Sequence, residues 1–244
     1  MTALNGNKRN TGKLIVVATA IIVAAVALTG WTVSRSSPNS PADESRPDTP
    51  AGRETAAAQN RLMSQRTKGD PEAPITIYEI TDFGCPWCRE FVRLTLPSIE
   101  REYIETGKAK LIFVNLPTPS LHPNSPAAHE FAMCAAQQDR FWPVHDLIYE
   151  HQADWATLED TRDFFTLLAD SAGLDMDALN TCFDTGSVRW IVQQEAESVA
   201  QQGEISSTPT FIMETVMLAG YFPIEEWRPV LDSLFAEKTG GDRR

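Results

Sequence analysis

Cysteine is scarce in this chain, four among 244 residues, so the fold cannot rest on a dense disulfide framework and has to bury an ordinary hydrophobic core. An apolar fraction of 42% permits that. Positive charge is scarce too, with 21 Lys and Arg against 33 Asp and Glu. Lys8, Arg9 and Lys13 precede the one long apolar run and no acidic residue does, so the rest of the chain is more acidic than the net charge of -12 implies. No run of Lys and Arg interleaved with aromatics is present. A surface of this sign repels phosphate backbones, which argues against nucleic acid as a partner. The four histidines include no i,i+4 pair around a carboxylate, and no second close pair of ligands accompanies the closely spaced cysteines. No metal or other cofactor is therefore expected. Internal repeats are also missing, so the chain reads as one domain with appendages.

Leu14 to Val33 is uncharged and mostly apolar, and its 20 residues would span roughly the 30 Å of a bilayer's hydrocarbon core as a helix. With the basic residues on its near side, the positive-inside rule keeps residues 1–13 in the cytoplasm and exports everything after the span. Ala25-Val26-Ala27 leaves open a cleaved signal peptide, which exports the domain equally. Ser34 to about Arg53, rich in Ser and Pro, reads as a linker, and the linker region extends to residue 67 before a domain at 68–237. Lys238 to Arg244 reads as a fraying tail.

Within the domain, Ile75–Thr81 and Leu111–Asn115 are β-branched runs expected as buried strands. A helix from Pro86 to Glu105 carries the stripe Phe91, Leu94, Ile99 and Tyr103, with a kink expected at Pro97. Helical periodicity fills Pro126 to Cys182. A helix over Val188–Gln202, strands at Thr210–Met213 and Val216–Leu218, and a closing helix over Ile224–Glu237 complete the order.

Cys85-Pro86-Trp87-Cys88 falls where the first strand gives way to this helix. Pro86 suits the first helical turn, which makes Cys85 the N-cap, where free N–H groups and the helix dipole stabilise a thiolate. Cys85 is thus the expected nucleophile. Cys88, one turn on and on the same face, is the expected resolving thiol. The alternatives are half of a zinc site, which lacks further ligands, and a static structural bridge. Phe83 and Trp87 beside the cysteines are candidates for contacting apolar stretches of a substrate, or else core. Cys134 and Cys182 stand alone within the helical block. In an oxidising compartment they would pair as a structural disulfide, the alternative being two buried free thiols.

Together with this motif, Gly69-Asp70-Pro71 through Ala73-Pro74, Asp82-Phe83, Leu121-His122-Pro123, the Ala127-Ala128 to Cys134-Ala135 helix, Phe141-Trp142 with His145-Asp146, and Thr208-Pro209-Thr210-Phe211 resemble the DsbA-like thiol-disulfide oxidoreductases. The resemblance covers about Lys68 to Phe235. It implies an α/β thioredoxin-like fold with a helical subdomain inserted at about 124–184, here behind one N-terminal transmembrane helix. It also implies a cis-proline loop at Thr208-Pro209 that faces the cysteines and pairs with an extended substrate, and a buried acid at Glu79 that moves a proton to or from the resolving thiol. Trp87 occupies the inter-cysteine position that tunes the potential, where many strong oxidants of the family carry histidine. The function so implied is an extracytoplasmic oxidase that exchanges disulfides with exported proteins and is recycled by a membrane redox partner. A reductase or isomerase of the same fold, and a non-catalytic membrane-tethered peptide-binding module, are the alternatives.

Overall fold

The computed structural model describes residues 14–16 and 50–240. Six strands form one sheet in the order β1-β6-β5-β3-β4-β2. They are β1 (Leu14–Val16), β2 (Thr67–Lys68), β3 (Ile75–Thr81), β4 (Ala109–Asn115), β5 (Thr210–Met213) and β6 (Val216–Ala219). β3 and β4 run parallel from Ile75↔Ala109 to Thr81↔Asn115, and the other neighbours pair antiparallel. A parallel pair needs a crossover. Here it is α2 (Pro86–Glu90) and α3 (Leu96–Ile99), continued through π-helical stretches at Phe91–Thr95 and Glu100–Ile104. The kink expected at Pro97 takes the form of these two π stretches on either side of it.

The expected linker is corrected in its second half. Residues 50–65 form helix α1 (Pro50–Gln65), which buries Leu62 and leads into the edge strand β2. Ala56, Ala57, Ala58 and Gln59 favour a helix intrinsically, although the segment shows little of the amphipathic stripe by which sequence reading finds one. Arg66 locks this corner from a buried position, donating to Glu195 at 2.8 Å and to the Phe113 carbonyl at 3.1 Å. The transmembrane helix expected over 14–33 lies outside the described residues except for Leu14–Val16, which pair with Val216–Leu218 at the sheet edge. No described helix is long and apolar enough to cross a membrane.

The insertion comprises α4 (Ser125–Ala136), α5 (Phe141–Glu150), α6 (Gln152–Trp155), α7 (Arg162–Ser171) and α8 (Met176–Thr185). α9 (Arg189–Gln202) returns to the sheet and α10 (Ile224–Gly240) closes it, running through Gly240 where a fraying tail is expected from Lys238. Two hydrophobic bodies result. Ile75, Ile77, Phe91, Phe211 and Trp227 pack the sheet against its helices. Phe131, Phe141, Trp155 and Phe165 fill the insertion, and this second cluster also takes in Phe83, Cys85 and Cys88. The cysteine motif therefore lies where the two bodies meet.

Candidate active site

The strand-to-helix junction is fixed by one carboxylate. Asp82 is fully buried at the end of β3 and accepts from the Gly84 N–H at 2.8 Å, from the Thr118 N–H at 3.1 Å, and from the Thr118 and Ser125 hydroxyls. His122 Nδ1 lies 2.8 Å from its other oxygen. Burial pushes its pKa up, but the nearby His129 ring, 3.8 Å away, and the hydrogen bonds from Ser125 and Thr118 outweigh that and hold it well below the usual carboxylate range. The turn needs glycine at position 84, because a Cβ there would collide with the His122 side chain. Gln152 holds the same loop from the insertion, donating to the Phe83 and Cys85 carbonyls at 2.6 and 3.0 Å. Neither Asp82, His122 nor Gln152 was singled out by the sequence reading. The only signals were that Asp82 and His122 fall within stretches that resemble the family, Asp82-Phe83 and Leu121-His122-Pro123.

Cys85 is the N-cap of α2, with extended φ and ψ of -77° and 123° and Pro86 directly inside the helix. Its residue is 6% exposed, so the thiol meets solvent through a narrow opening. Cys85 and Cys88 are both free thiols. The Cys88 thiol donates to Cys85, which is the largest effect lowering the Cys85 pKa to about 6; Thr208 and the N–H groups of Cys88 and Trp87 add to it, and burial opposes it. Cys88 is wholly buried. Burial first, and then the neighbouring Cys85 sulfur, push its pKa well up. The two sulfurs therefore differ in the direction that a nucleophile and a resolving thiol would need, with the pKa of Cys85 lowered and that of Cys88 raised.

Facing this pair, the Thr208-Pro209 peptide bond is cis, and the Thr208 carbonyl accepts from the Cys85 sulfur at 3.4 Å. Trp87 is 54% exposed and stacks on Tyr221 at 6.1 Å. Leu121, 73% exposed, precedes the His122 that packs against Gly84. Phe83 does not join them. It is fully buried, 5.0 Å from the Phe113 ring and 4.9 Å from that of Tyr149, so the expectation that it contacts substrate is corrected to a core role that seats the loop.

Behind the cysteines, Glu79 and Thr81 project from the same buried face of β3. Glu79 has no solvent contact, and neither carboxylate oxygen finds a hydrogen-bond partner among the described residues. Burial raises its pKa to about 8, offset only in part by the Thr81 hydroxyl and the Lys68 ammonium. The Thr81 hydroxyl meets the Tyr149 hydroxyl at 2.9 Å. Cys88 and Glu79 both bear on Tyr149, whose own pKa is raised chiefly by burial. Glu79, Thr81, Tyr149 and Cys88 are thus neighbours in the interior behind Cys85.

Cys134 on α4 and Cys182 on α8 form a disulfide with their Cα atoms 5.9 Å apart, as expected for an oxidising compartment. Among the described residues no group of three His, Cys, Asp or Glu side chains could hold a metal ion.

A family model described as thioredoxin matches residues 62–233. The chain is 28% identical over 169 residues to the Na(+)/H(+) antiporter NhaA 3 of Salinispora tropica, covering 69% of this chain and 24% of that protein. It is 35% identical over 103 residues to the probable disulfide bond formation protein D of Bacillus anthracis, covering 42% of this chain and 45% of that one. It thus spans between about a quarter and a half of these curated relatives. The crystal structure of α-DsbA1 from Wolbachia pipientis superposes with a TM-score of 0.65 at 23% identity, over 72% of this chain and 93% of that one, and shares the fold.

Proposed function

This chain belongs to the thioredoxin family in its DsbA-like form, matched over residues 62–233, and from that premise we propose that it is a thiol-disulfide oxidoreductase that oxidises exported proteins. The observation that carries the proposal is the Cys85 sulfur at the N-cap of α2, facing the carbonyl of a cis-proline loop, where the neighbouring Cys88 thiol lowers its pKa to about 6. A thiolate that is stable at neutral pH favours the reduced dithiol, and so makes the corresponding disulfide an oxidant.

In the forward reaction a substrate thiolate attacks Cys85 of the Cys85–Cys88 disulfide. A mixed disulfide forms, and Cys88 leaves as a thiolate that takes up a proton. A second substrate thiolate then attacks the substrate sulfur of the mixed disulfide, and Cys85 departs as the stabilised thiolate. Two electrons pass to the protein, and a membrane redox partner removes them. Glu79 supplies the proton that Cys88 takes up, and receives it again on reoxidation. Thr208 offers its backbone to an extended substrate chain, while Trp87, with Leu121 across the opening, offers apolar surface to unfolded segments. The domain works outside the cytoplasm, tethered through the segment 14–33 or released by cleavage after it.

Cys88→Ser tests the proposal, because it should accumulate covalent complexes with thiol-bearing clients through Cys85. A tethered peptide-binding module would accumulate none. Equilibration of the dithiol with glutathione fixes direction, and a strongly negative potential would replace the oxidase with a reductase or isomerase.

A further inference from the structure

A buried acid that trades protons with Cys88 is useful only if it can trade them with water, and Glu79 has no opening of its own. The face of the sheet on which it sits is covered by α5. One stripe of that helix, Phe141, His145 and Tyr149, is fully buried or nearly so. Phe113 is Glu79's partner across β3 and β4. The His145 ring stands edge-on to the Phe113 ring at 5.8 Å and 5.0 Å from that of Tyr149, one turn before the Tyr149 hydroxyl reaches Thr81. Glu79 precedes Thr81 by two residues on the same strand face, and its partner Phe113 is one of the rings that His145 meets, as is Phe83 at 5.8 Å.

The hydrogen bonding of His145 is one-sided. Its Nδ1 is 2.8 Å from Asp146 Oδ1, and since a carboxylate only accepts, Nδ1 carries the proton. Nε2 is then a bare lone pair, buried and without a partner among the described residues, as are both oxygens of Glu79 and Nε1 of Trp142. Polar atoms left this way in a protein interior are ordinarily joined by internal water. Asp146 is at the other end, its side chain 62% exposed. It lines a surface cleft of about 420 Å³ with Arg89, Glu100, Tyr149 and Glu150.

We propose that His145 and Asp146 are the outward half of a proton path that connects the Glu79 carboxyl, through internal water, to solvent in this cleft. The inference rests on the oxidoreductase reading above. During reoxidation Glu79, holding the proton from Cys88, passes it inward to Nε2, and Nδ1 releases its own proton to Asp146 and water. When the disulfide is next reduced, a proton enters at Asp146, Nδ1 accepts it, and Nε2 returns its proton to Glu79 and on to the Cys88 thiolate. One proton leaves and one enters in each cycle, so the imidazole ends in the tautomer in which it began. The groups facing His145 are Asp146 beside it on α5, Tyr149 one turn on, Lys68 from β2 and Glu100 from the crossover helix. Lys68 pairs with Glu100 and sits over the Trp142 ring at 4.4 Å. Burial first of all, with Lys68, keeps the imidazole neutral, and Asp146 only partly counters them. It is therefore free to accept a proton.

The test follows the reduced protein as it reacts with oxidised glutathione, with acid-quenched samples weighed to separate glutathione addition at Cys85 from its displacement by Cys88. His145→Gln and Asp146→Asn should leave addition unchanged and slow displacement about tenfold near neutral pH, with a larger solvent isotope effect. Imidazole buffer should restore Asp146→Asn, whose defect is at the surface, and fail to restore His145→Gln. Displacement at the parent rate in Asp146→Asn would overturn the path, as would a loss in His145→Gln with no change in isotope effect or pH profile, since packing alone would then explain it. If the parent protein formed no adduct at Cys85, the oxidoreductase reading itself would fail. An adduct that resolves at equal rates in parent and variants would remove only the path.

Discussion

Two pairs of cysteines share one hydrophobic cluster and have opposite chemistry. Cys134 and Cys182 approach from the last turn of α4 and the interior of α8, closing a disulfide across 48 residues. Neither sits at a helix N-terminus. Cys85 does, and it faces a backbone carbonyl and a second thiol. The contrast shows that burial alone does not decide what a sulfur does. The helix N-terminus and the neighbouring thiol lower the Cys85 pKa and so favour its thiolate, whereas Cys134 and Cys182 are joined helix to helix as a bridge.

The sharpest way to break this contrast is to remove sulfur from each pair in turn. Cys85→Ser should abolish dithiol exchange in a turnover assay, and retained exchange would move the nucleophile elsewhere. Replacing Cys134 and Cys182 together by Ala should instead reduce folding stability by about 4 kcal/mol on the chain-entropy account of a loop this long. Denaturant melts would read that loss, and alkylation of Cys85 should proceed as before.

A smaller effect concerns Glu79, whose folded-state pKa is raised to about 8. A raised carboxyl pKa means that the folded state binds the proton more tightly, so stability falls as pH climbs from the unfolded value towards 8. Glu79→Gln should therefore stabilise the protein by about 3 kcal/mol at pH 7. The gain should disappear below pH 4, and an equal gain at all pH values would show that the carboxyl is not titrating in the fold. The most delicate measurement is the alkylation of Cys85 against pH. Its rate should rise with a midpoint of about 6 and level off above it. A midpoint near the ordinary thiol value of 9.0 would erase the distinction between the two pairs.

Much of this could be read before any coordinates. Short β-branched and apolar runs located β3, β4, β5 and β6, and helical periodicity located most helices. The CxxC motif announced itself through Pro86, whose place in a first helical turn follows from its missing N–H. Helix α1 did not, since it holds its place partly through Leu62 and the buried Arg66–Glu195 pair, whose partner lies 129 residues away. The Asp82 cluster was equally invisible. Its donors come from residues 84, 118, 122 and 125, and no local pattern marks a carboxylate that will collect them.

By itself the sequence determined the order of elements, the acidic surface and which sulfur heads a helix, all consequences of local propensity and spacing. Tertiary structure alone decided that Phe83 is core, that Glu79 is sealed from water, and that His145 keeps a buried nitrogen without a partner among the described residues. Those outcomes depend on which distant side chains exclude solvent, and solvent exclusion belongs to the packed whole rather than to any segment of the chain.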